Sequence, residues 1–287
     1  MTRPITVGAD GTAESLAAVH WAAREAVRRD LPLRIVHARP KADGDEGTAD
    51  AQEADVREAL TRTAGDVTGH HPGLTVTTDL VDGVPVQALL VAAAEAETLV
   101  LGSRGHGALV GFLLGSVGQQ VIAESTRPVV LVRATDRPES EAAGREIVVG
   151  QQGGPDDSAA ALGFAFEAAA TRGADLRVVR AWALPTVFTY SPASLALADE
   201  AGGLEQYEKK ALAEALQPWL ERFPDVKVVQ HVEMGSAGEV LLSAAARAQL
   251  TVVGRRAHRS AVGSRIGSVA HAVVHHAPSP VAVVPPA

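Results

Sequence analysis

The apolar run Thr98-Leu99-Val100-Leu101 leads into Gly102-Ser103-Arg104-Gly105, and nine residues later Gly115-Ser116-Val117 opens a helical run. The pattern, G-x2-G-x9-G-[ST], suits a phosphate. Glycine lets the backbone approach a bulky anion and reach φ > 0. The amides of Ser116 and Val117 would point outward from a helix N-terminus, where the dipole favours negative charge. The Ser116 hydroxyl adds a donor or a metal contact. Gly8-Ala9-Asp10-Gly11 closes an earlier apolar run and puts the Asp10 carboxylate where it could accept from a ribose hydroxyl. A main-chain group near Ala38, at the end of the run Leu33–Ala38, could read an adenine edge. Gly8 and Leu101, at the ends of their runs, complete the candidate set. This is neither a P-loop, which needs Gly-Lys-Ser/Thr, nor the tight fingerprint G-x-G-x-x-G.

Other chemistry is poorly supported. The chain has no Cys, which excludes a disulfide framework, a thiolate zinc site, an iron–sulfur cluster and a Cys nucleophile. No Ser–His–Asp set and no paired carboxylates at a strand end suggest acid–base work, so no catalytic residue is assigned. His271 and His275 stand four apart on a helical stretch, with His276 beside them. No carboxylate matches their spacing, so they are read as a half-exposed helix face and no metal site is assigned. His106 is read as a loop residue beside the phosphates, and His37 either lines the adenine pocket or is simply packed. The formal charge of −8 divides into −6 over residues 1–140 and −2 over 141–287, so neither half is a basic, nucleic-acid-binding domain. MTRPITVGAD carries no long apolar leader, and no stretch of 18 apolar residues lacks charge. A cytoplasmic protein without a membrane partner is expected.

The elements that must hold these residues come twice. Ile5–Gly11 resembles Ile147–Gly153, and Leu33–Ala38 resembles Leu176–Ala181. Gly83, Gly102, Gly115-Ser116-Val117 and Pro128 return as Gly235, Gly254, Gly267-Ser268-Val269 and Pro280. The offset grows from 142 or 143 to 152, which places an insertion of about nine residues in 184–203. The boundaries expected are a first domain over 1–135, a polar linker over 136–145 and a second domain over 146–287. Each half alternates short apolar runs with helical stripes. In the first, Ile5–Val7, Leu33–Ala38, Leu74–Val81, Thr98–Leu101 and Val129–Val132 read as strands. Runs without polar alternation suit parallel strands covered on both faces. Leu16, Val19, Ala23 and Ala26/Val27 mark one helical stripe, and Val56, Leu60, Thr63/Ala64 and Val67 another. The fold class is α/β, two open doubly wound sheets. Ligands of such sheets sit beyond the carboxyl ends of the strands where strand order reverses, which is where the glycine motif falls.

The second half departs from the first at the site. Asp10 becomes Gln152, the following loop gains a residue, and Gly105 becomes Ala257, while Gly254, Gly267, Ser268 and Val269 remain candidates. Gln offers no charge-assisted acceptor, so weaker or absent nucleotide binding is expected there. Arg255-Arg256 could supply positive charge or form an ordinary solvated turn. The apolar loop 108–114 packs on its own domain or a partner subunit, or forms an interaction surface.

Taken together, Val7–Gly11, Val36-His37-Ala38, Gly102-x2-Gly105-x9-Gly115-Ser116 and Arg127-Pro128-Val129 resemble the universal stress protein family, and the repeat makes the chain similar to a tandem member. The resemblance implies two flavodoxin-like, Rossmann-like (adenine nucleotide alpha hydrolase-like) domains, each a five-stranded parallel sheet of order 3-2-1-4-5 with helices on both faces. It implies ATP, with Mg2+, as ligand. By position, Asp10 would contact the ribose, Ala38 the adenine, and Gly102, Gly105, Gly115, Ser116 and Val117 the phosphates. It further implies pairing of the last strands, 129–132 with 281–284, in an intramolecular pseudo-dimer, and a possible homodimer. The function expected is nucleotide-dependent regulation of a protein partner in the stress response. A slow ATPase or phosphotransferase, and a nucleotide-independent scaffold, are the alternatives.

Overall fold

The computed structural model describes residues 2–39, 46–103, 115–135, 146–183, 203–255 and 266–286, with side chains of the helix that starts at Glu46 described from residue 50. The chain divides into two compact units, Met1–Ser140 and Glu141–Ala287. The expected linker and nearly all of the insertion lie outside the described residues.

Unit 1 runs β1 (Ile5–Gly8), α1 (Ala13–Arg29), β2 (Leu33–Arg39), α2 (Glu46–His70), β3 (Val76–Asp82), α3 (Pro85–Glu95), β4 (Thr98–Ser103), α4 (Ser116–Glu124) and β5 (Val129–Arg133). Its sheet has the order β3-β2-β1-β4-β5, every neighbour parallel. Strand order reverses between β1 and β4, so the ends of these two strands open the crevice. The core is built from the uninterrupted apolar runs: Ile5, Val7, Leu33, Ile35, Leu99 and Val100 are fully buried.

The α1 stripe differs from the sequence expectation. Val19, Ala23 and Ala26 of the expected stripe are buried, but Leu16 and Val27 are 40% and 50% exposed, and Ala18, Trp21 and Ala22 are buried beside them. The buried face of α1 is thus mostly alanine, with Val19 and Trp21 as its larger members. Thr12 starts this helix by accepting from the Ser15 amide, and Asp30 ends it in the left-handed region at φ 52°. The α2 stripe is as expected, with Leu60 and Val67 buried.

Unit 2 repeats the plan with β6 (Ile147–Gly150), α5 (Ala159–Arg172), β7 (Leu176–Trp182), α6 (Gly203–Arg222), β8 (Val228–Met234), α7 (Ala237–Ala245), β9 (Leu250–Gly254), α8 (Ser268–His276) and β10 (Val281–Val284). Its order is β8-β7-β6-β9-β10, again all parallel. The extra residue after β6 is absorbed in a short 3-10 turn, Asp156–Ser158, that has no counterpart in unit 1. Gly163 of α5 lets the Trp219 ring of α6 lie against the helix backbone, within a stack of Phe166, Trp219 and Phe223. Among the described residues, no helix is long and apolar enough to cross a membrane.

Candidate functional site

At the reversal point of unit 1 lies a cavity of about 310 Å3, within the range of small-molecule sites. Six elements line it. The end of β1 and the loop after it bring Gly8, Ala9 and Asp10, and the start of α1 brings Thr12, Glu14 and Ser15. Val36 and Ala38 come from β2, Pro85 and Leu89 from α3, and Leu101 and Gly102 from β4. Gly115, Ser116, Val117 and Gly118 come from the first turn of α4. Every candidate of the first half that falls among the described residues therefore meets in one place. Gly105 and His106, with the 108–114 loop, lie outside the described residues.

The glycines have separable roles. A Cβ on Gly8 would come 2.8 Å from Leu101 Cδ2 and 3.2 Å from Leu89 Cδ2, so bare backbone here lets two leucines close an apolar floor. A Cβ on Gly102 would lie 2.6 Å from the Glu14 carbonyl carbon and 2.7 Å from both the Glu14 oxygen and the Ser15 nitrogen. Gly102 thus permits the start of α1 to rest against the end of β4. Gly115 is different: among the described residues nothing lies within 4 Å of a Cβ placed there, and its φ of −57° is open to any residue. It is the N-cap of α4, and among the described residues no side chain caps that end. The first-turn amides of a helix have no intrahelical acceptor, so α4 turns a set of donors and the positive end of its dipole toward the cavity.

The loop after β1 is ordered by its own polar groups. Asp10 Oδ1 accepts from the Thr12 amide at 3.1 Å and the Thr12 hydroxyl at 2.6 Å, and the Asp10 amide donates to Ser15 Oγ at 3.3 Å. His37 does not line the cavity as one sequence reading had it. Its Nδ1 donates to the Ala9 carbonyl oxygen at 2.7 Å. Sequence reasoning also missed Glu14, a second acidic residue of the lining; an acid at the start of a helix looks like ordinary dipole compensation.

A sequence model described as the universal stress protein family matches residues 1–133 and again 144–285. The chain belongs to the universal stress protein family. A universal stress protein of Mycolicibacterium smegmatis is 34% identical over 292 residues, covering 98% of this chain and 97% of that protein. One from Mycobacterium tuberculosis is 33% identical over 289 residues, covering 97% and 96%. The fold matches the crystal structure of a universal stress protein from Archaeoglobus fulgidus with a TM-score of 0.74 at 17% identity, over 99% of this chain and 98% of that one.

The second universal stress protein unit keeps the skeleton of the site and alters its details. Gly150 meets Leu241 as Gly8 meets its leucines, with a Cβ distance of 3.0 Å. Gly254 has no tight approach: its Cβ would be 3.7 Å from that of Ala161. Gly267 caps α8 at φ 86°, ψ 150°, a region essentially reserved for glycine, whereas Gly115 sits at φ −57°, ψ 153°. Ser268 and Val269 still open α8. Gln152 takes the place of Asp10, and its amide donates to Ser158 Oγ at 3.0 Å, as the Asp10 amide donates to Ser15. Arg255 follows β9, and burial lowers its pKa from the usual value. Arg256 and Ala257 lie outside the described residues. His271 and His275 do come together, with ring centroids 4.3 Å apart. Among the described residues no group of three His, Asp or Glu could hold a metal ion.

Proposed function

We propose that unit 1 binds an adenine nucleotide, ATP in the first instance, and that occupancy of this site regulates the protein's interaction with a protein partner. The observation that carries the reading is the N-terminus of α4, whose glycine N-cap offers no side chain to its amides and which borders a cavity that Asp10 also lines. In this reading the amides of Ser116 and Val117 hold phosphate oxygens. The Asp10 carboxylate, held in place by Thr12, takes a ribose hydroxyl. Val36, Leu89 and Leu101 supply apolar surface for the base beside Ala38. Among the described residues of the lining none is basic, and Asp10 and Glu14 are acidic. A polyphosphate would therefore enter with its charge reduced, so Mg2+ carried mainly by its own phosphates is the form expected. Unit 2, with Gln152 and a different turn at Gly267, supports weaker binding.

The test is a calorimetric titration of Mg-ATP into the full chain and into the Gly115→Asp variant, after any copurified nucleotide has been released and identified. Asp is a good N-cap and complements the dipole, so α4 should keep or gain stability. The same side chain would take the amides and repel phosphate. Hydrogen bonds to charged groups contribute about 1.5–3 kcal/mol each, so the loss should be about tenfold or more in affinity. Wild-type protein that neither carries nor takes up nucleotide, or a Gly115→Asp variant that binds like wild type, would refute the reading.

A further inference from the structure

Both units use a side chain near the end of their second strand to tie down the loop after their first, and they tie it at different points. In unit 1 the residue is His37. A carbonyl oxygen can only accept, so Nδ1 of His37 carries a proton in its bond to Ala9, in the neutral ring and in the imidazolium alike. The Ala9 amide donates to the Val36 carbonyl at 2.9 Å, so Ala9 is clasped by two successive residues of β2. The carbonyl that His37 holds and the amide of Asp10 belong to one planar peptide group. Its oxygen is fixed by His37 at 2.7 Å and its nitrogen by Ser15 Oγ at 3.3 Å. A peptide pinned at both ends does not rotate, and the direction in which Asp10 leaves β1 is set.

Unit 2 shows the other arrangement. Gln151 donates its amide to Val179 just as Ala9 does to Val36, at the same 2.9 Å. Arg180, which stands where His37 does, reaches past the first loop residue. Its Nη1 donates to the Gly153 carbonyl at 2.9 Å and to the Gln151 side-chain oxygen at 2.6 Å, while Nε is anchored on Glu208 at 2.5 Å. One fold thus carries two settings of the same loop, and the strand-end side chain ties each at its own point.

We infer that His37 is a positioning residue for the unit 1 site: it orients the Ala9–Asp10 peptide, and through it the Asp10 carboxylate, without touching the ligand. The inference rests on the nucleotide reading above and assigns a residue outside the cavity lining to it. The experiment titrates Mg-ATP into the full chain carrying His37→Phe, which keeps a flat ring and loses the donor, and His37→Asn, whose amide nitrogen stands the same number of bonds from Cα as Nδ1. His37→Leu is a second donor-free variant in case the Phe ring is not accommodated. The donor-free variants should bind roughly three- to tenfold more weakly, the size of one neutral hydrogen bond, and exchange the Asp10 amide proton faster in the absence of ligand. His37→Asn should recover most of both, with similar melting temperatures throughout. Donor-free variants with wild-type affinity overturn the inference alone, as does an Asn variant no better than Phe. A wild-type chain that takes up no Mg-ATP sinks the nucleotide reading and this inference together.

Discussion

Gly102 offers a sharp test, because its role was assigned by backbone contacts and not by a ligand. In Gly102→Ala the new methyl would sit 2.6–2.7 Å from three main-chain atoms of Glu14 and Ser15. Ordinary contacts between such atoms are about 3.5–4.0 Å, so the first turn of α1 must retreat from β4 by roughly 1 Å. No side chain can rotate away to absorb this. The helix cannot tilt easily either, since Ala18, Trp21 and Ala22 are packed to within 1% of full burial. Overpacking of this kind costs about 1–3 kcal/mol, and a backbone-to-backbone clash belongs in the upper half of that range. For a unit of this size the melting temperature falls by about 3–5 °C per kcal/mol, so a drop of roughly 6–15 °C in the unit 1 transition is expected by scanning calorimetry. Gly254→Ala is the matched control. Its methyl would make an ordinary 3.7 Å contact with Ala161, and losing glycine's freedom in the unfolded chain should leave stability unchanged or raised by about 0.4–1 kcal/mol. If the two variants shift alike, or if Gly102→Ala melts within about 2 °C of wild type, the close approach of α1 to β4 is wrong.

Thr12→Ala removes the α1 cap and one tether of Asp10, and should cost about 1 kcal/mol by calorimetry, with Thr12→Ser restoring it. Burial first, then the neighbouring His275 and His276, holds the His271 pKa below its ordinary value; burial, then Arg24, His70 and His20, does the same for His71. The unfolded chain therefore takes up protons first as pH falls through the ordinary value of about 6.5. The melting temperature should fall between about pH 7.5 and 5.5, and fall less in a His71→Gln/His271→Gln variant. Gly163→Ala puts a methyl 2.7 Å from Trp219 Cη2; the half-buried ring should be pushed outward, with red-shifted emission and a loss of about 1–3 kcal/mol.

What could be read from the residues alone follows a physical division. Strands buried on both faces announce themselves: Leu99-Val100-Leu101 and Val129–Val132 are as buried as their unbroken apolarity implies. The repeat fixed where one unit's elements recur in the other. The α1 face was read in part, with Val19, Ala23 and Ala26 buried, because periodicity weighs large apolar side chains and here Ala18 and Ala22 pack while Leu16 and Val27 stay exposed. The phosphate-like motif was legible because it is a run of local backbone requirements. What was hidden crosses the fold. His37 to Ala9 spans 28 positions and Arg180 to Gly153 spans 27, and neither residue type at a strand end signals a partner. Gly102 looks the same in sequence whether its bare backbone serves an anion or a helix; only the position of Glu14 decides.

The two units also show how the second accommodates its inserted residue. The substitution Gln152 is conspicuous, but the residue after it keeps its unit 1 conformation, with Gly153 at φ 76° where Gly11 is at φ 79°. Ser158 still holds the Gln152 amide as Ser15 holds that of Asp10, so the added residue is confined between them. It is accommodated by Asp157 accepting from the Gly154 amide at 2.8 Å and by the turn Asp156–Ser158. That turn delays the start of α5 to Ala159, and the neighbour Gly254 then meets is a methyl at 3.7 Å where Gly102 has a helix backbone in unit 1. The Gly153 carbonyl becomes the acceptor that Arg180 takes. The inserted residue thus accompanies the altered packing at β9, while Arg180 in place of His37 reaches the Gly153 carbonyl. The core of the unit is untouched by these changes, with Ile147, Val149, Leu176, Val178 and Val252 fully buried as their unit 1 counterparts are. The fold is held by the strands and the site by the loops, so one could diverge while the other did not.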